Sequence, residues 1–240
     1  MQMYGRTDTG RVRSSNQDAY VCAELTAGVL FAVVCDGMGG ASGGNVASAI
    51  AVKVVSDRIL ELYRDDMSNE AVRTLLSDAV ALANTTIFDA AMADLTLRGM
   101  GTTIVVLLMR EHLLHLVHVG DSRAYLLHEQ ELEQLTTDHS VVQALVEQGQ
   151  LTETEAQHHP RKHMITRALG VDAAVESDFT SAAITTGDLV LLCTDGLSNM
   201  VESADLCDLL LVGGDDIADR LIAAANMKGG SDNITAVVLG

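Results

Sequence analysis

Short apolar runs recur along the chain, and each is bounded by polar or glycine residues. Runs of this length that are rich in β-branched and aliphatic side chains are typical of strands. The pattern predicts strands at residues 18–24, 29–35, 102–109, 113–119, 123–128, 188–193 and 233–239.

Longer segments repeat their apolar residues with the period of a helix. In the segment 69–93, one buried stripe at the i, i+3, i+4, i+7 spacing comprises Val72, Leu75, Leu76, Ala79, Val80, Ala83 and Ile87. Further helices are predicted at 45–64, 203–212 and 215–226, with two short helices within 140–158. Because strands and helices come in groups rather than in strict alternation, the order favours an α+β fold with largely antiparallel sheets.

Nothing in the composition marks a domain boundary. The only proline is Pro160, and no Gly/Ser-rich linker or low-complexity segment is present. A chain of 240 residues with 48% hydrophobic residues has enough apolar material for a large core, and the 3% aromatic content makes that core aliphatic. We therefore predict one domain over residues 1–240.

The net charge and the cysteine content restrict the binding partners and the cellular compartment that we expect. The formal net charge of −18 makes nucleic acid an unsuitable partner, because phosphate backbones need a basic face. No apolar stretch is long enough for a membrane span, and the N-terminus lacks the apolar segment of a signal peptide. The four cysteines form no C-x-x-C pair, so we expect a reducing cytoplasm, without zinc or disulfides.

Five aspartates stand where predicted strands begin or end. Asp36 and Asp195 each follow an apolar run and precede a glycine, and Asp121 follows another strand; Asp18 and Asp232 stand where strands begin. In antiparallel sheets the start of one strand lies beside the end of its neighbour, so these carboxylates are expected to meet at one edge. Each aspartate alone is explained equally well as a turn residue.

Clustered carboxylates repel one another unless protons or cations lie among them. A pair at about 4 Å costs roughly 1 kcal/mol in water and several times more near a protein surface. Hard divalent ions prefer such oxygen ligands, so the cluster predicts Mg²⁺ or Mn²⁺. A shared zinc site is not expected at His112, His115 and His118. These histidines recur at every third residue, so along one strand they alternate between its two faces.

Seven motifs in a fixed order resemble those of the metal-dependent type 2C serine/threonine protein phosphatases, the PPM family, in its bacterial form. They are RVRSSNQD (11–18), CDGMGG (35–40), GMGTT (99–103), HVGDSRAY (118–125), TTDHS (136–140), LLCTDGL (191–197) and GGSDNIT (229–235). The resemblance covers nearly the whole chain. It implies a four-layer αββα sandwich of two antiparallel sheets flanked by helices, with a flap at about 140–170.

The resemblance also implies a metal-dependent hydrolysis of phosphoserine and phosphothreonine. By the same resemblance, a water held between two Mn²⁺ or Mg²⁺ ions would attack phosphorus, without a covalent intermediate. Asp36 corresponds to the ligand of both ions and Gly37 to a carbonyl ligand of the first ion. Asp18, Asp195 and Asp232 correspond to ligands of the second ion.

Two further residues take roles from the same resemblance. Arg13 corresponds to the arginine that binds phosphate, for which its planar fork is suited. Asp121, together with Asp195, corresponds to the ligands of a third and weaker ion. The flap carries Arg161, Lys162 and Arg167, for which a solvated face and a substrate contact are both open.

The chain departs from its relatives around the expected proton donor. Met38 and Ala41 occupy positions where relatives place histidines, and Gln17 replaces a glutamate of some members. Metal-bound water or His139 are the remaining sources of a proton.

Two alternative functions would also involve these acidic residues. A haloacid dehalogenase-type phosphatase needs D-x-D-G-T, whereas CTDGL lacks the first aspartate. A non-catalytic member that binds metal or phosphoprotein and only regulates stays open, although all five aspartates and Arg13 are present. For the enzyme we expect phosphoprotein partners, including a cognate serine/threonine kinase and its substrates, and a monomeric cytoplasmic signalling protein that binds neither nucleic acid nor membrane.

Overall fold

The structure, a computed structural model, describes residues 2–240, without the side chains of residues 41 and 42. Its strands are β1 (Met3–Asp8), β2 (Asp18–Thr26), β3 (Val29–Met38), β4 (Gly101–Thr102), β5 (Ile104–Arg110), β6 (Leu113–Val119), β7 (Arg123–His128), β8 (Glu131–Gln134), β9 (Asp178–Ala183), β10 (Leu189–Cys193) and β11 (Ile234–Leu239). Its helices are α1 (Gly40–Leu62), α2 (Asn69–Ala93), α3 (Val141–Glu147), α4 (Glu153–Gln157), α5 (Asp195–Ser198), α6 (Ser203–Val212) and α7 (Ile217–Met227), with a 3₁₀ turn at Leu95–Leu97.

The strands form two antiparallel sheets. One sheet has the order β1-β11-β10-β7-β8, and the other has the order β2-β3-β5-β6-β9 with β4 paired to β3. The pairing of β1 with β11 joins the two ends of the described chain in one sheet. The predicted α+β class with largely antiparallel sheets is therefore confirmed.

Alternate residues of β3 show how the layers stack. Phe31 and Val33 pack with α1 and α2 on the outer face of their sheet, whereas Ala32 and Val34 pack against Leu192 and other residues of the second sheet. A third cluster covers the other face of that second sheet with α6 and α7. Because strand side chains alternate between faces, fully buried strands read as continuous apolar runs. The four layers are helices, sheet, sheet and helices, as expected.

The helical stripe on α2 is also confirmed. All seven of its predicted residues are buried, and Ser68 caps the helix by accepting a hydrogen bond from the Ala71 N–H at 3.2 Å. The segment before it differs from the prediction, because α1 begins at Gly40 rather than at residue 45. Its first five residues contain three glycines, which have low helix propensity, so packing against β3 rather than local preference determines where this helix starts.

Three strands were missed, namely β1, β8 and β9, and the predicted strand 102–109 divides into β4 and β5. The strands β1, β8 and β9 lie at sheet edges and carry few apolar residues, so the period-2 signal of a half-buried strand is weak there. Long-range pairing determines them, as in the pairing of β9 with β6. Within the described part of the chain, no helix is both long and apolar enough to cross a bilayer.

The expected flap segment forms a separate excursion between β8 and β9. It contains α3 and α4, each capped at its N-terminus by a hydroxyl, from Ser140 and Thr152 respectively. Isolated bridges pair Ser140 with Ile165, which closes the segment at its base, and Thr102 with Leu169, which joins its C-terminal end to β4.

Candidate functional site

The strand-end aspartates converge as expected. Asp18 begins β2 and lies directly opposite Asp36, near the end of β3, in the antiparallel register. Asp195 begins α5 just after β10, and Asp232 lies in the turn before β11. Asp121 follows β6. The two sheets therefore bring five carboxylates from distant parts of the chain to one edge.

Asp36 lies close enough to the other four carboxylates for their charges to shift its pKa. Burial raises the pKa of Asp36 well above its ordinary value, and repulsion by Asp18, Asp195, Asp121 and Asp232 raises it further, in that order. Its backbone is fixed on both sides: its N–H donates to Thr103 Oγ1 at 2.9 Å, and its carbonyl accepts from the Thr103 N–H at 2.9 Å.

Asp18 is a second carboxylate of the cluster whose charged form is disfavoured. Burial raises its pKa to about 7, although hydrogen bonds from two hydroxyls oppose the shift. Thr194 and Thr235 donate these hydrogen bonds to Oδ2 at 2.9 and 2.7 Å. Asp121 is 9% exposed, and burial followed by the charges of Asp195 and Asp138 raises its pKa to about 8. These groups are therefore destabilised as anions when no cation accompanies them.

Two buried oxygens supply an independent sign of a cation site. Oδ1 of Asp18 and Oδ1 of Asp195 are buried and accept no hydrogen bond, although the other oxygen of each carboxylate does. Buried polar atoms are nearly always paired, so an oxygen without a partner in a functional cleft requires an explanation. Hard divalent ions bind such carboxylate oxygens, and the residues present therefore fit Mg²⁺ or Mn²⁺.

Close packing requires a glycine at position 37, in addition to the open approach that an ion would need to the Gly37 carbonyl. A Cβ at this position would lie 2.1 Å from the carbonyl oxygen of Gly44 on α1 and 2.5 Å from that of Gln17. Its N–H donates to the same Gln17 carbonyl at 3.1 Å. The end of β3 and the first turns of α1 thus approach so closely that no side chain fits at residue 37.

Arg13 lies at the rim of the cluster. Its side chain is 55% exposed, and its guanidinium donates to Asp232 Oδ2 at 2.8 Å. This hydrogen bond is the main reason why the pKa of Arg13 is raised, and the charges of Asp232, Asp36 and Asp195 add to it. The cation is therefore held beside the carboxylates, with part of its fork open to solvent.

The sequence did not single out His163, which approaches the cluster from the flap. Its Nδ1 lies 3.8 Å from Asp195 Oδ2, and the ring is 59% exposed. Asp195 raises the pKa of His163 above its ordinary value. The only local signal was the neighbouring basic pair Arg161 and Lys162, which marked the flap but not this residue.

A second polar cluster lies beneath the flap and involves His118, His139 and Asp178. One ligand atom from each of these residues lies within 4.8 Å of the others, a spacing that suits a metal ion. However, Arg167 donates to Asp178 Oδ1 at 2.9 Å and lies 3.2 Å from His139 Nε2. The guanidinium already supplies the positive charge there, so the cluster is best explained as a structural network. Arg167 is accordingly paired with Asp178, with its side chain 35% exposed.

The network also removes His139 as a proton donor. The residue is 7% exposed, its Nδ1 accepts a hydrogen bond from the Gly120 N–H at 3.1 Å, and its Nε2 lies 3.3 Å from Asp178 Oδ2. Neither nitrogen is open to a substrate.

Two other positions were noted around the expected proton donor. Gln17 donates its side-chain N–H to the Gly40 carbonyl at 3.0 Å, and the side chain at position 41 lies outside the described residues.

Comparisons with known proteins identify the family of this chain. The sequence profile described as Protein phosphatase 2C matches residues 9–227. The chain is 39% identical to the serine/threonine phosphatase Stp of Listeria welshimeri over 98% of this chain and 93% of that protein. It is 35% identical to the protein phosphatase PhpP of Streptococcus pneumoniae over 97% of this chain and 94% of that protein.

Solved structures give the same result. The serine/threonine phosphatase of S. agalactiae superposes with a TM-score of 0.92 at 36% identity, covering 99% of this chain and 98% of that one. The catalytic domain of the serine/threonine protein phosphatase PstP, solved in complex with two manganese ions, superposes with a TM-score of 0.86 at 36% identity. Coverage in that case is 99% of this chain and 96% of that one.

Proposed function

This chain belongs to the protein phosphatase 2C family and is a serine/threonine phosphatase, and we propose that it hydrolyses phosphoserine and phosphothreonine in proteins by a two-metal mechanism. One observation carries the proposal: Asp36 lies within the field of four other carboxylates. The orphaned oxygens of Asp18 and Asp195 support it. So does the similar structure that was solved with two manganese ions.

Each carboxylate has a proposed role. Asp36 would hold both core ions, and the carbonyl of Gly37 would contribute to the first. Asp18, Asp195 and Asp232 would hold the second. When bound, two divalent ions lower the pKa of water far enough to make it a nucleophile at neutral pH, and they stabilise the charge of the phosphoryl group. Asp121 and Asp195 would hold a third, weaker ion.

Arg13 would orient the phosphate. Its guanidinium already lies beside Asp232 at 2.8 Å and retains donors that face solvent. Such a fork binds two phosphate oxygens at once, which fixes the direction of the bond to be broken. Asp232 therefore acts twice in this proposal, as an ion ligand and as the group that orients Arg13.

Several points stay predictions: the choice between Mn²⁺ and Mg²⁺, a cognate kinase, a monomeric state, a cytoplasmic location, and a single domain over 1–240 with a flap segment at about 140–170. The substrates of a serine/threonine phosphatase are phosphoproteins, and the basic pair Arg161 and Lys162 on the flap would suit their phosphate or acidic side chains.

The direct test compares three substrates with and without Mn²⁺. The purified protein should hydrolyse p-nitrophenyl phosphate and a phosphothreonine peptide only when Mn²⁺ or Mg²⁺ is present, and a chelator should abolish both activities. A phosphotyrosine version of the same peptide serves as the matched control. Hydrolysis that persists in chelator, or binding of phosphopeptide without turnover in Mn²⁺, would contradict the proposal.

A further inference from the structure

One buried side chain, His139, connects the carboxylate cluster to the flap. Its main-chain N–H donates to the Gly120 carbonyl at 2.9 Å, and the Gly120 N–H donates back to the His139 ring at Nδ1, at 3.1 Å. On its other side, the His139 carbonyl accepts from the Thr166 N–H at 2.8 Å. The residue thus bonds the turn after β6 and the returning arm of the flap at the same time.

The two ring nitrogens of His139 have different tasks. Because Nδ1 accepts from Gly120, the ring proton of the neutral imidazole lies on Nε2. Nε2 faces Asp178 Oδ2 at 3.3 Å, and Arg167 of the flap donates to the other oxygen of Asp178 at 2.9 Å. Asp178 therefore accepts from the guanidinium and lies beside the ring, while Arg167 Nη1 itself approaches Nε2 to 3.2 Å. The ring also stacks on His118, with centroids 4.7 Å apart.

The hydrogen bond from the Gly120 N–H to His139 matters because Asp121 follows Gly120 directly. Gly120 has φ 106°, a conformation that strongly favours glycine, and a Cβ there would lie 2.6 Å from the Thr103 side chain. Within the turn, Ser122 Oγ is hydrogen bonded to Thr103 Oγ1 at 2.7 Å, while Gly120, which has no side chain, is held through its backbone hydrogen bonds to His139. Asp121 comes next, buried and repelled by Asp195. The direction of its carboxylate depends on a backbone that is fixed from outside the turn.

We propose that His139 is a positioning residue: Nδ1 fixes Gly120 and with it the direction of Asp121, while Nε2 fixes the flap through Asp178. This inference rests on the proposed function, in which Asp121 and Asp195 hold the weaker third ion. It assigns His139 no contact with substrate, in agreement with its burial.

Two amide substitutions separate the two tasks. In His139→Asn the side-chain oxygen occupies a place close to that of Nδ1 and can accept from Gly120, but the link to Asp178 is lost. In His139→Gln the amide reaches toward the place of Nε2, and the Gly120 N–H is left buried without an acceptor. Asp178→Asn is the matched control, because it weakens the flap link and leaves the Gly120 bond intact.

Calorimetric titration with Mn²⁺ measures the effect on binding directly. Wild type is expected to show a tighter class of sites and a weaker class. His139→Gln should weaken the weaker class about tenfold, equivalent to about 1.4 kcal/mol, and leave the tighter class unchanged. His139→Asn and Asp178→Asn should keep the weaker class within about twofold of wild type. The Asn variants should instead speed tryptic cleavage at Arg161 and Lys162, because the flap is less firmly docked.

Equal weakening by Gln and Asn, or no weakening by Gln, would overturn the inference. Asp121→Ala distinguishes this failure from failure of the proposed function. If Asp121→Ala leaves the weaker class intact, the ion assignment itself is wrong. If it removes that class while His139→Gln does not, only the positioning role is wrong.

Should the Gln variant fail to fold, ¹⁵N spectra of wild type test the same bond. An unprotonated Nδ1 on His139 and a protected Gly120 amide are expected, and the opposite tautomer would overturn the inference.

Discussion

Asp18 faces Asp36 directly across the antiparallel pair of β2 and β3. Directly opposed residues have Cβ atoms about 4.5–5.5 Å apart, and like charges in this position destabilise a sheet. The protein therefore places two carboxylates that repel each other side by side at the end of a strand pair. The arrangement is stable only when protons or cations compensate the charge, and the first two predictions follow from this.

Replacing Asp36 by Asn should abolish catalysis without disturbing the fold. The change removes the carboxylate proposed to bind both core ions. We expect turnover of p-nitrophenyl phosphate at saturating Mn²⁺ to fall by more than roughly 100-fold, since even groups that only support metal ligands contribute about 10–100-fold. Circular dichroism should be unchanged. Asp89→Asn, on the exposed face of α2, is the control. Activity within about tenfold of wild type would show that Asp36 is not the shared ligand.

The ion-free protein should lose stability as pH rises. Asp18 and Asp121 have ordinary pKa values of 3.8, raised to about 7 and about 8 in the folded protein. Their contribution is complete below the unfolded value and is lost as pH rises through the folded values, at up to about 1.4 kcal/mol per pH unit for each group.

Urea unfolding in chelator tests this pH dependence. Between about pH 5 and about pH 8, wild type should lose more stability than Asp18→Asn, which keeps an acceptor for Thr194 and Thr235 but does not titrate. Added Mn²⁺ should reverse the trend in wild type, because ions bind the deprotonated carboxylates. An identical pH dependence in the two proteins would contradict the assigned cause.

Replacing Arg13 by Ala should act mainly on substrate binding. If the guanidinium holds phosphate equally in the ground and transition states, KM should rise by about tenfold while kcat falls less. Arg13→Lys should be intermediate, because it keeps the charge but not the planar fork. Arg11→Ala is a close control, since Arg11 is exposed and donates to the Asn226 carbonyl instead. Steady-state kinetics with unchanged KM and kcat would remove Arg13 from the site.

Replacing Gly37 by Ala should destabilise the protein before any effect on catalysis is considered. The added methyl group would lie 2.1 Å from the Gly44 carbonyl oxygen, which belongs to backbone and cannot move aside cheaply. We expect a loss of at least about 1–3 kcal/mol, as for overpacked cores. Gly28→Ala has open space around the new Cβ and measures the cost of an unfavourable φ alone. A melting temperature of Gly37→Ala equal to that of wild type would contradict the close contact between β3 and α1.

The candidate site was largely predictable from local sequence because its ligands stand at strand ends. An aspartate after a buried apolar run is visible without knowledge of the fold, and Asp36 and Asp195 were found in this way. His163 was not, because nothing in its neighbourhood reveals that the flap brings it within 3.8 Å of Asp195. His139 was identified, but as a possible proton donor, because its burial and its bonds to Gly120 and Asp178 depend on residues far along the chain.

The sequence by itself determined the buried strands, the stripe of α2 and the acidic chemistry of the site, because apolar periodicity and residue type are local properties. Only the tertiary structure decided the edge strands β1, β8 and β9, since their order comes from pairing with distant partners rather than from their own composition. It also decided the register that sets Asp18 opposite Asp36. A shift of one residue would turn every side chain of the strand to the other face, so the meeting of these carboxylates depends on the packing of both sheets.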